Sequence, residues 1–508
     1  MALEDVKAQK ETVKPSRKQI PRMKYLCAIL SVTASLFGPL MFGLSLGFSG
    51  QTIDTMQNTV TTTNGTHIQI GENSGLWAFQ SSTEASLFGS LVTIGAMIGA
   101  SAGGPITEKF GRKWTLIGIS PLFVVMYVWM ALAHTAWQLL VARVFVGVGV
   151  GVESFVVPTY IGEVSPIKLR GALGACNQLA VTIGVFLAYV LGLAFSSQAA
   201  SVDPNADSHT FCNWRNLCWI IIIPSALLGI CMFFAPETPH WLASHGRLEA
   251  AKAALSKLRD GNEDGDEYMA ESKALEVAAE SKVEQGGRFV DGFKSLGECK
   301  MQLFIGVMLQ ILQQLSGINA IIFYQTTIFQ AAGLEDKKAI ALSVMAVLMA
   351  FTLVSCIIMD KAGRIILLLI GAIGMCISTI CMGIFFYLKD DAGNNNVGWL
   401  AIASAFVYIV TYSLGVGGIP WLIMAEIFPG NVRGLAASIA TCVNWFFCFI
   451  VTMFLDSYRR AVSFSGVFWT FAGICACMIA FVVIFVPETK GKTFDQIQAY
   501  FKSKYKPH

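Results

Sequence analysis

Charge is scarce in this chain. Of its 508 residues only 14% are Asp, Glu, Lys or Arg, whereas 54% are hydrophobic and the mean hydropathy is +0.59. Soluble domains average about a quarter charged residues, so a soluble enzyme or binding module is excluded. Lys and Arg are missing from residues 49–84, and no charge of either sign lies between Lys24 and Asp54. The thirteen cysteines form no disulfide framework. Most, such as Cys376, Cys381, Cys475 and Cys477, lie in apolar runs where a thiol behaves as a small apolar residue; only Cys212 and Cys218 sit near an outer loop, with their pairing as the alternative. Phosphate-binding chemistry is missing too. Gly147-Val148-Gly149-Val150-Gly151 has no following Lys-Ser/Thr and lies within an apolar run, where it serves close helix packing. No arrangement of nucleophile, base, metal ligands or cofactor motif supports an enzyme.

What is abundant is apolar length. A helix crossing about 30 Å of hydrocarbon needs about 20 residues. Twelve runs meet this: 25–48, 85–105, 114–133, 137–160, 172–195, 215–235, 302–330, 338–359, 365–387, 397–424, 434–455 and 464–486. The chain is therefore read as an all-α membrane protein with twelve transmembrane helices in two six-helix halves. Lys7, Lys10, Lys14, Arg17, Lys18, Arg22 and Lys24 crowd the N-terminal tail, and the positive-inside rule then places both termini in the cytoplasm. That tail is too long and polar for a cleaved signal, so the first span acts as its own insertion signal. Asn64-Gly65-Thr66 is a glycosylation sequon in the loop assigned to the outside.

Three polar motifs occur twice, in the same order. Gly111-Arg112-Lys113 returns as Gly363-Arg364; Glu163-Val164-Ser165-Pro166 with Arg170-Gly171 returns as Glu426-Ile427-Phe428-Pro429 with Arg433-Gly434; Pro236-Glu237-Thr238 returns as Pro487-Glu488-Thr489. The Glu-to-Arg interval is seven residues in both copies. Such internal duplication is how transporters that rock between two states are built. The expected divisions are a tail at 1–24, a first half at 25–235, a linker at 236–300, a second half at 301–486 and a tail at 487–508. Within the linker Leu248, Ala251, Ala254, Leu255 and Leu258 recur at helical spacing, which predicts a cap of short amphipathic helices under the membrane, with a regulatory linker as the alternative.

Six motifs in order carry a resemblance: Gly111-Arg112-Lys113, the run Pro158 to Pro166, Pro236-Glu237-Thr238-Pro239, Gln313-Gln314-Leu315-Ser316-Gly317-Ile318-Asn319, Gly418-Ile419-Pro420-Trp421, and Pro487 to Gly491. The chain resembles the sugar porters of the major facilitator superfamily, and among them the facilitative hexose transporters, along nearly its whole length. The resemblance implies the major facilitator fold and a hexose carrier working by alternating access, with both termini inside, in the plasma membrane.

A sugar is a ring of hydroxyls with a thin apolar face, and neutral amides plus an aromatic platform suit it. Gln313, Gln314 and Asn319 lie in the seventh span. In an unbroken helix Asn319 would point about 240° away from Gln313 and about 140° from Gln314, so the helix is expected to break at Ser316-Gly317. The resemblance adds Gln178, Trp421 and Asn444 as substrate-binding residues. Trp421 follows Gly415-Val416-Gly417-Gly418-Ile419-Pro420, too rich in breakers for a straight helix and suited to a flexible gate. The chain departs from the family at Leu348, where many members carry an Asn, at Ser413, where many carry an acid, at Ile365, in place of a second basic residue, and at His240, in place of an Arg.

Arg112, Glu163, Arg170 and Glu237, with Asp360, Arg364, Glu426, Arg433 and Glu488, all fall at inner helix ends and are expected to pair, holding the inner face shut. Coupling is read from two positions. Proton-coupled relatives usually carry an acid after Phe42-Gly43-Leu44, where this chain has Ser45. Glu153, however, lies ten residues from both Arg143 on the outer side and Glu163 on the inner, near the midplane, where a carboxyl is costly to ionise, as a proton site would require. The expectation is a uniporter for a glucose-like hexose, with a proton-coupled symporter using Glu153 as the alternative and a non-transporting sugar sensor as a third. Sensors would carry long tails, and only 22 residues run from Pro487 to the end. The expected partners are a sugar and the lipid bilayer, with the chain working as a monomer and no cofactor, metal or nucleic acid.

Overall fold

The computed structural model describes residues 25–56, 59–61, 67–69, 82–166, 169–196, 213–261, 266–284, 296–331, 337–390, 397–429, 432–492 and 494–505. Asn64, Cys212 and the basic tail lie outside them. The first half contains α1 (Leu26–Ser35), α2 (Phe37–Met56), α3 (Ser82–Phe110), α4 (Arg112–Ala131), α5 (Ala136–Val164), α6 (Arg170–Ser196) and α7 (Asn213–Phe234). The linker supplies α8 (Pro239–Ser244), α9 (Leu248–Leu258) and α10 (Asp266–Glu284). The second half contains α11 (Lys300–Leu315), α12 (Ile318–Ala331), α13 (Lys337–Ala362), α14 (Arg364–Asp390), α15 (Gly398–Thr411), α16 (Ile419–Ile427) and α17 (Arg433–Phe485), followed by α18 (Phe494–Tyr505).

Eleven stretches are long and apolar enough to cross a membrane, the last being the 52-residue Gly434–Phe485. Ser463, at φ 65 and ψ 172, breaks α17 in the middle, so α17 crosses twice and the fold has twelve crossings. To the all-α expectation the structure adds one feature. Thr59–Thr61 and His67–Gln69 pair as a short antiparallel hairpin after the first crossing.

Helix interiors rich in glycine allow backbones to touch. A Cβ on Gly95 would stand 2.0 Å from the Val144 carbonyl oxygen, and one on Gly151 would stand 2.1 Å from that of Ala96, so α3 and α5 interlock at van der Waals contact through the run expected to pack helices. Each half has its own core, built around Phe88, Phe123, Tyr127 and Val146 in the first and Leu309, Tyr408, Phe468 and Val482 in the second.

The linker is a helical cap with a small core of Trp241, Leu242, Leu255, Tyr268 and Leu275. It docks on the first half: Arg259 donates to the carbonyls of Val164 (3.1 Å) and Ser165 (3.4 Å) while pairing with Glu271, and Trp241 Nε1 donates to the Glu108 carbonyl at 2.9 Å. On the second half, Gln498 of α18 donates to the Ile427 carbonyl at 2.9 Å.

The halves meet along two helix pairs, α3 with α17 and α6 with α13, and through side chains at several levels. At the end away from the duplicated motifs, Tyr189 Oη donates to the Ile322 carbonyl at 2.6 Å. Near the midplane, the Phe42 and Trp445 rings stand 5.4 Å apart. Toward the motif end, Cys356 Sγ donates to the Ala175 carbonyl at 3.6 Å.

Candidate functional site

The seventh crossing is broken where the sequence predicts. α11 ends at Leu315 and α12 begins at Ile318, with Gly317 at φ +99 between them. A side chain there would be strained, and its Cβ would lie 2.6 Å from the Phe471 ring. Tyr408 Oη donates to the Ser316 carbonyl at 3.0 Å, which satisfies a backbone oxygen released by the break.

The break brings the amides into one network. Asn319 Nδ2 donates to Gln314 Oε1, and Gln314 Nε2 donates to Asn444 Oδ1 at 2.8 Å. Asn444 Nδ2 donates to Gln310 Oε1 at 2.7 Å and Gln313 Oε1 at 3.2 Å, and Gln313 Nε2 donates to the carbonyls of Val416 (2.7 Å) and Gly417 (3.1 Å). All five side chains are buried. Each amide offers a donor and an acceptor with no charge, so the set can exchange its mutual bonds for those of a polyhydroxyl ring.

The sequence reading missed Gln310. It lies three and four residues before Gln313 and Gln314, the spacing that shares a helix face, and this was the available signal. Trp421 is half-buried in the first turn of α16, just after Pro420. The glycine-rich run before it is irregular, with a π-helical turn over Tyr412–Val416 and turn residues at 417 and 418. Gln178 is half-buried on α6 and makes none of the bonds of the amide network.

Two departures from the family pattern meet. Ser413 Oγ donates to the Ile409 carbonyl at 2.7 Å and lies 3.4 Å from the carbonyl of Leu348. A position that usually bears an amide and one that usually bears an acid are therefore neighbours, and here both have lost their polar reach together.

The duplicated motifs build the same clamp in each half. Gly111 and Gly363 take φ +92 and +95 and start α4 and α14. Glu237 accepts from the backbone N–H of Arg112 (3.1 Å) and Lys113 (3.2 Å), and Glu488 accepts from Arg364 (3.1 Å) and Ile365 (3.0 Å). Each is a remote carboxylate capping a helix N-terminus. The arginine side chains then reach the second motif: Arg112 to Glu163 at 2.9 Å and Arg364 to Glu426 at 3.0 Å. The sequence reading grouped these charges as a lock across the inner face. The Arg112–Glu163 and Arg364–Glu426 pairs join helices within one half, because the motif triplets converge on their own bundle. Arg170 is exposed, and the side chains of Asp360 and Arg433 lie outside the described residues.

The two capping carboxyls differ in titration. Burial pushes Glu237 above the usual range, with the backbone donors of Thr238, Lys113 and Arg112 only partly offsetting it. Burial acts the same way on Glu488, but donors from Lys490, Ile365 and Arg364 outweigh it, so its carboxyl lies below the usual range. By linkage, the stabilisation from Glu488 is present above the unfolded value and is lost as pH falls through its lowered folded value, whereas ionising Glu237 opposes folding as pH rises through its raised one. Thermal unfolding of Glu237→Gln and Glu488→Gln against pH is expected to give slopes of opposite sign relative to the parent. The Glu237 effect lies above the ordinary glutamate range and the Glu488 effect below it; equal slopes would remove the asymmetry.

Glu153 is buried at the midplane of α5 against helix α2, where a Cβ on Gly38 would lie 3.2 Å from its Oε1, and neither carboxyl oxygen has a hydrogen-bond partner. Arg143 was expected on the outer side. It is fully buried in the first half, donating to the carbonyls of Phe88 (3.3 Å) and Ser45 (3.1 Å) and to Ser49 Oγ, with Phe88 facing its guanidinium at 4.9 Å. Ser45 Oγ in turn bonds Tyr127 Oη at 2.7 Å.

A duplicated twelve-crossing bundle, clamped within each half and carrying a neutral amide network at a hinged helix, defines a membrane carrier of the major facilitator type for an uncharged polar solute. The chain belongs to the family described as "Sugar (and other) transporter", whose model matches residues 30–501. It is 37% identical to Sugar transporter ERD6-like 6 of Arabidopsis thaliana over 95% of this chain and 92% of that one. It is 32% identical to facilitated glucose transporter member 8 of Mus musculus (99% and 100% covered) and 33% identical to facilitated trehalose transporter Tret1 of Polypedilum vanderplanki (97% and 91%). Among solved structures it is similar to the proton:xylose symporter XylE bound to 6-bromo-6-deoxy-D-glucose, with a TM-score of 0.76 at 26% identity, covering 93% of this chain and 99% of that one.

Proposed function

We propose that this sugar transporter carries a glucose-like hexose by facilitated diffusion. The observation that carries the reading is the network of Gln310, Gln313, Gln314, Asn319 and Asn444 at the Gly317 break, with Gln178 and Trp421 completing the site. In this reading the motif end faces the cytoplasm of a plasma-membrane protein that works as a monomer, and Asn64 lies outside. Relatives named for glucose and for trehalose both fit a neutral amide site. A monosaccharide is favoured because the amides are packed closely enough to bond one another. Competition of labelled glucose uptake by unlabelled hexoses, trehalose and polyols tests the choice, and preferential competition by trehalose would replace it.

Ser45 supports uniport, since a hydroxyl bonded to Tyr127 offers no titrating group beside Arg143. A second reading, proton-coupled symport, is favoured by Glu153 and its two unpartnered oxygens.

The gate reading is kept in altered form. Glu163 and Glu426 each bond their arginine through one oxygen, and the second oxygen of each is buried without a hydrogen bond. These are the acceptors that Arg170 and Arg433 would reach when the inner face closes. Neutralising either arginine is expected to favour the inward-open state, since removing about 2 kcal/mol shifts a two-state ratio about thirty-fold, and to slow net uptake. Normal uptake with normal labelling by an inner-face probe would reduce these charges to topology markers.

A further inference from the structure

Three helices converge on Gly50 at the end away from the duplicated motifs. α12 lies against α2, and Tyr189 of α6 reaches over to them, its Oη donating to the Ile322 carbonyl at 2.6 Å. A Cβ on Gly50 would stand 2.8 Å from that same carbonyl oxygen and would collide with the Tyr189 hydroxyl. Only a residue without a side chain lets α2 seat beside the bond.

The bond is shut off from water. Tyr189 is 1% exposed and Ile322 is 6% exposed. Leu46, Val185 and Tyr189 of the first half belong to the apolar core of the second, which also holds Ile318, Ile321 and Ile322. A hydroxyl–carbonyl bond in such surroundings is stronger than one at the surface. Ile322 stands three residues past Asn319, about one helical turn, so the bond lies directly beyond the amide network.

We propose that Tyr189, Ile322 and Gly50 form a latch that closes this end of the sugar pathway, with the Tyr189 hydroxyl as the positioning group that sets how readily it opens. This rests on the carrier reading above, in which this end faces outward. The parts come from both halves, α2 and α6 from the first and α12 from the second, so parting the halves here breaks the bond and empties the Gly50 seat. α12 is the arm jointed at Gly317. At the motif end the contact of the same kind, Cys356 Sγ to the Ala175 carbonyl, is 3.6 Å long and uses a weak thiol donor. Of these two side-chain bonds to the opposite half the tyrosine one is the stronger, which biases the carrier toward closure at the far end.

Two measurements on the full chain test this. In Tyr189→Phe without sugar, backbone amide hydrogen exchange over 318–331 is expected to quicken about two- to ten-fold while 300–315 is unchanged, the effect of losing one hydroxyl–carbonyl bond. In sealed vesicles, half-saturation for sugar supplied outside, divided by that for sugar supplied inside, is expected to fall by the same factor, because the latch biases orientation without touching the sugar. Gly50→Ala, which puts a methyl in the seat while favouring helix, is expected to move both readouts in the same direction. The double variant should move them by less than the product of the two, since phenylalanine removes one of the atoms that the methyl meets. Unchanged exchange over 318–331 in Tyr189→Phe, or half-saturation altered equally on both sides, would overturn the proposal. A parent chain that carries no hexose would refute the sugar reading alone, and the exchange measurement would still decide the latch.

Discussion

Gln314→Ala is expected to lower sugar affinity by about five- to hundred-fold, at about 1–3 kcal/mol for a lost contact to a buried hydroxyl, with expression and membrane insertion retained. Gln314 is the middle of the network: it accepts from Asn319 across the helix break and donates to Asn444 on the eleventh crossing. An alanine removes both bonds at once. Asn319 and Asn444 then lack the partner that aims them, so the loss exceeds that of an amide at the rim. Gln178→Ala, at a half-buried position outside the network, should cost less. Equilibrium binding or the KM of zero-trans uptake reads the difference. Unaltered affinity in Gln314→Ala would mean that the amides only hold helices together.

The second large effect concerns energy coupling. Uptake into vesicles is expected to level off at equal sugar inside and out, to ignore a protonophore and to persist in Glu153→Gln. The argument weighs two buried groups in the same half. Arg143 has neutral oxygens and aromatic faces around it, and the hydroxyl of Ser45 stands beside it where an acid would give a titratable pair. Glu153 sits on the same helix ten residues on, without a hydrogen bond to any protein group, packed against Gly38 and Val157. A carboxyl so placed fills space between α2 and α5, and glutamine has the same shape. Accumulation above the external sugar concentration that collapses with the protonophore and vanishes in Glu153→Gln would make this residue the coupling site and the protein a symporter.

The crossing count, the duplication and the break in the seventh span were legible because each leaves a local mark: length of apolar run, repeated polar motif, glycine between amides. Partnership was less so. Gln310 went unnoticed because a lone amide one turn before a known pair looks like packing, and only Asn444 from a crossing 134 residues away turns it into a member of the site. The charges at helix ends could be listed but not paired, since pairing within a half and between halves use the same residues at the same spacing. The position of Arg143 in the fourth apolar run places it toward the outer side but says nothing of its partners. The carbonyls of Phe88 and Ser45, which hold it inside, come from two other helices.

The clamps built from Glu237 and Glu488 carry a last consequence. Each ties the start of one helix to the end of another inside its own bundle, through backbone groups that do not depend on which way the carrier faces. In alternating access two bundles tied in this way would move as solid pieces, and what changes from one orientation to the other is the seam where α3 lies against α17 and α6 against α13, with the Tyr189 bond to Ile322, the Phe42–Trp445 contact and the Cys356 bond to Ala175 along it. The resting distribution of orientations would then be set along those helix pairs and not in the interior of either bundle. Relatives with identical sugar sites can for that reason differ in apparent affinity from the two sides of the membrane, through substitutions that never touch the sugar.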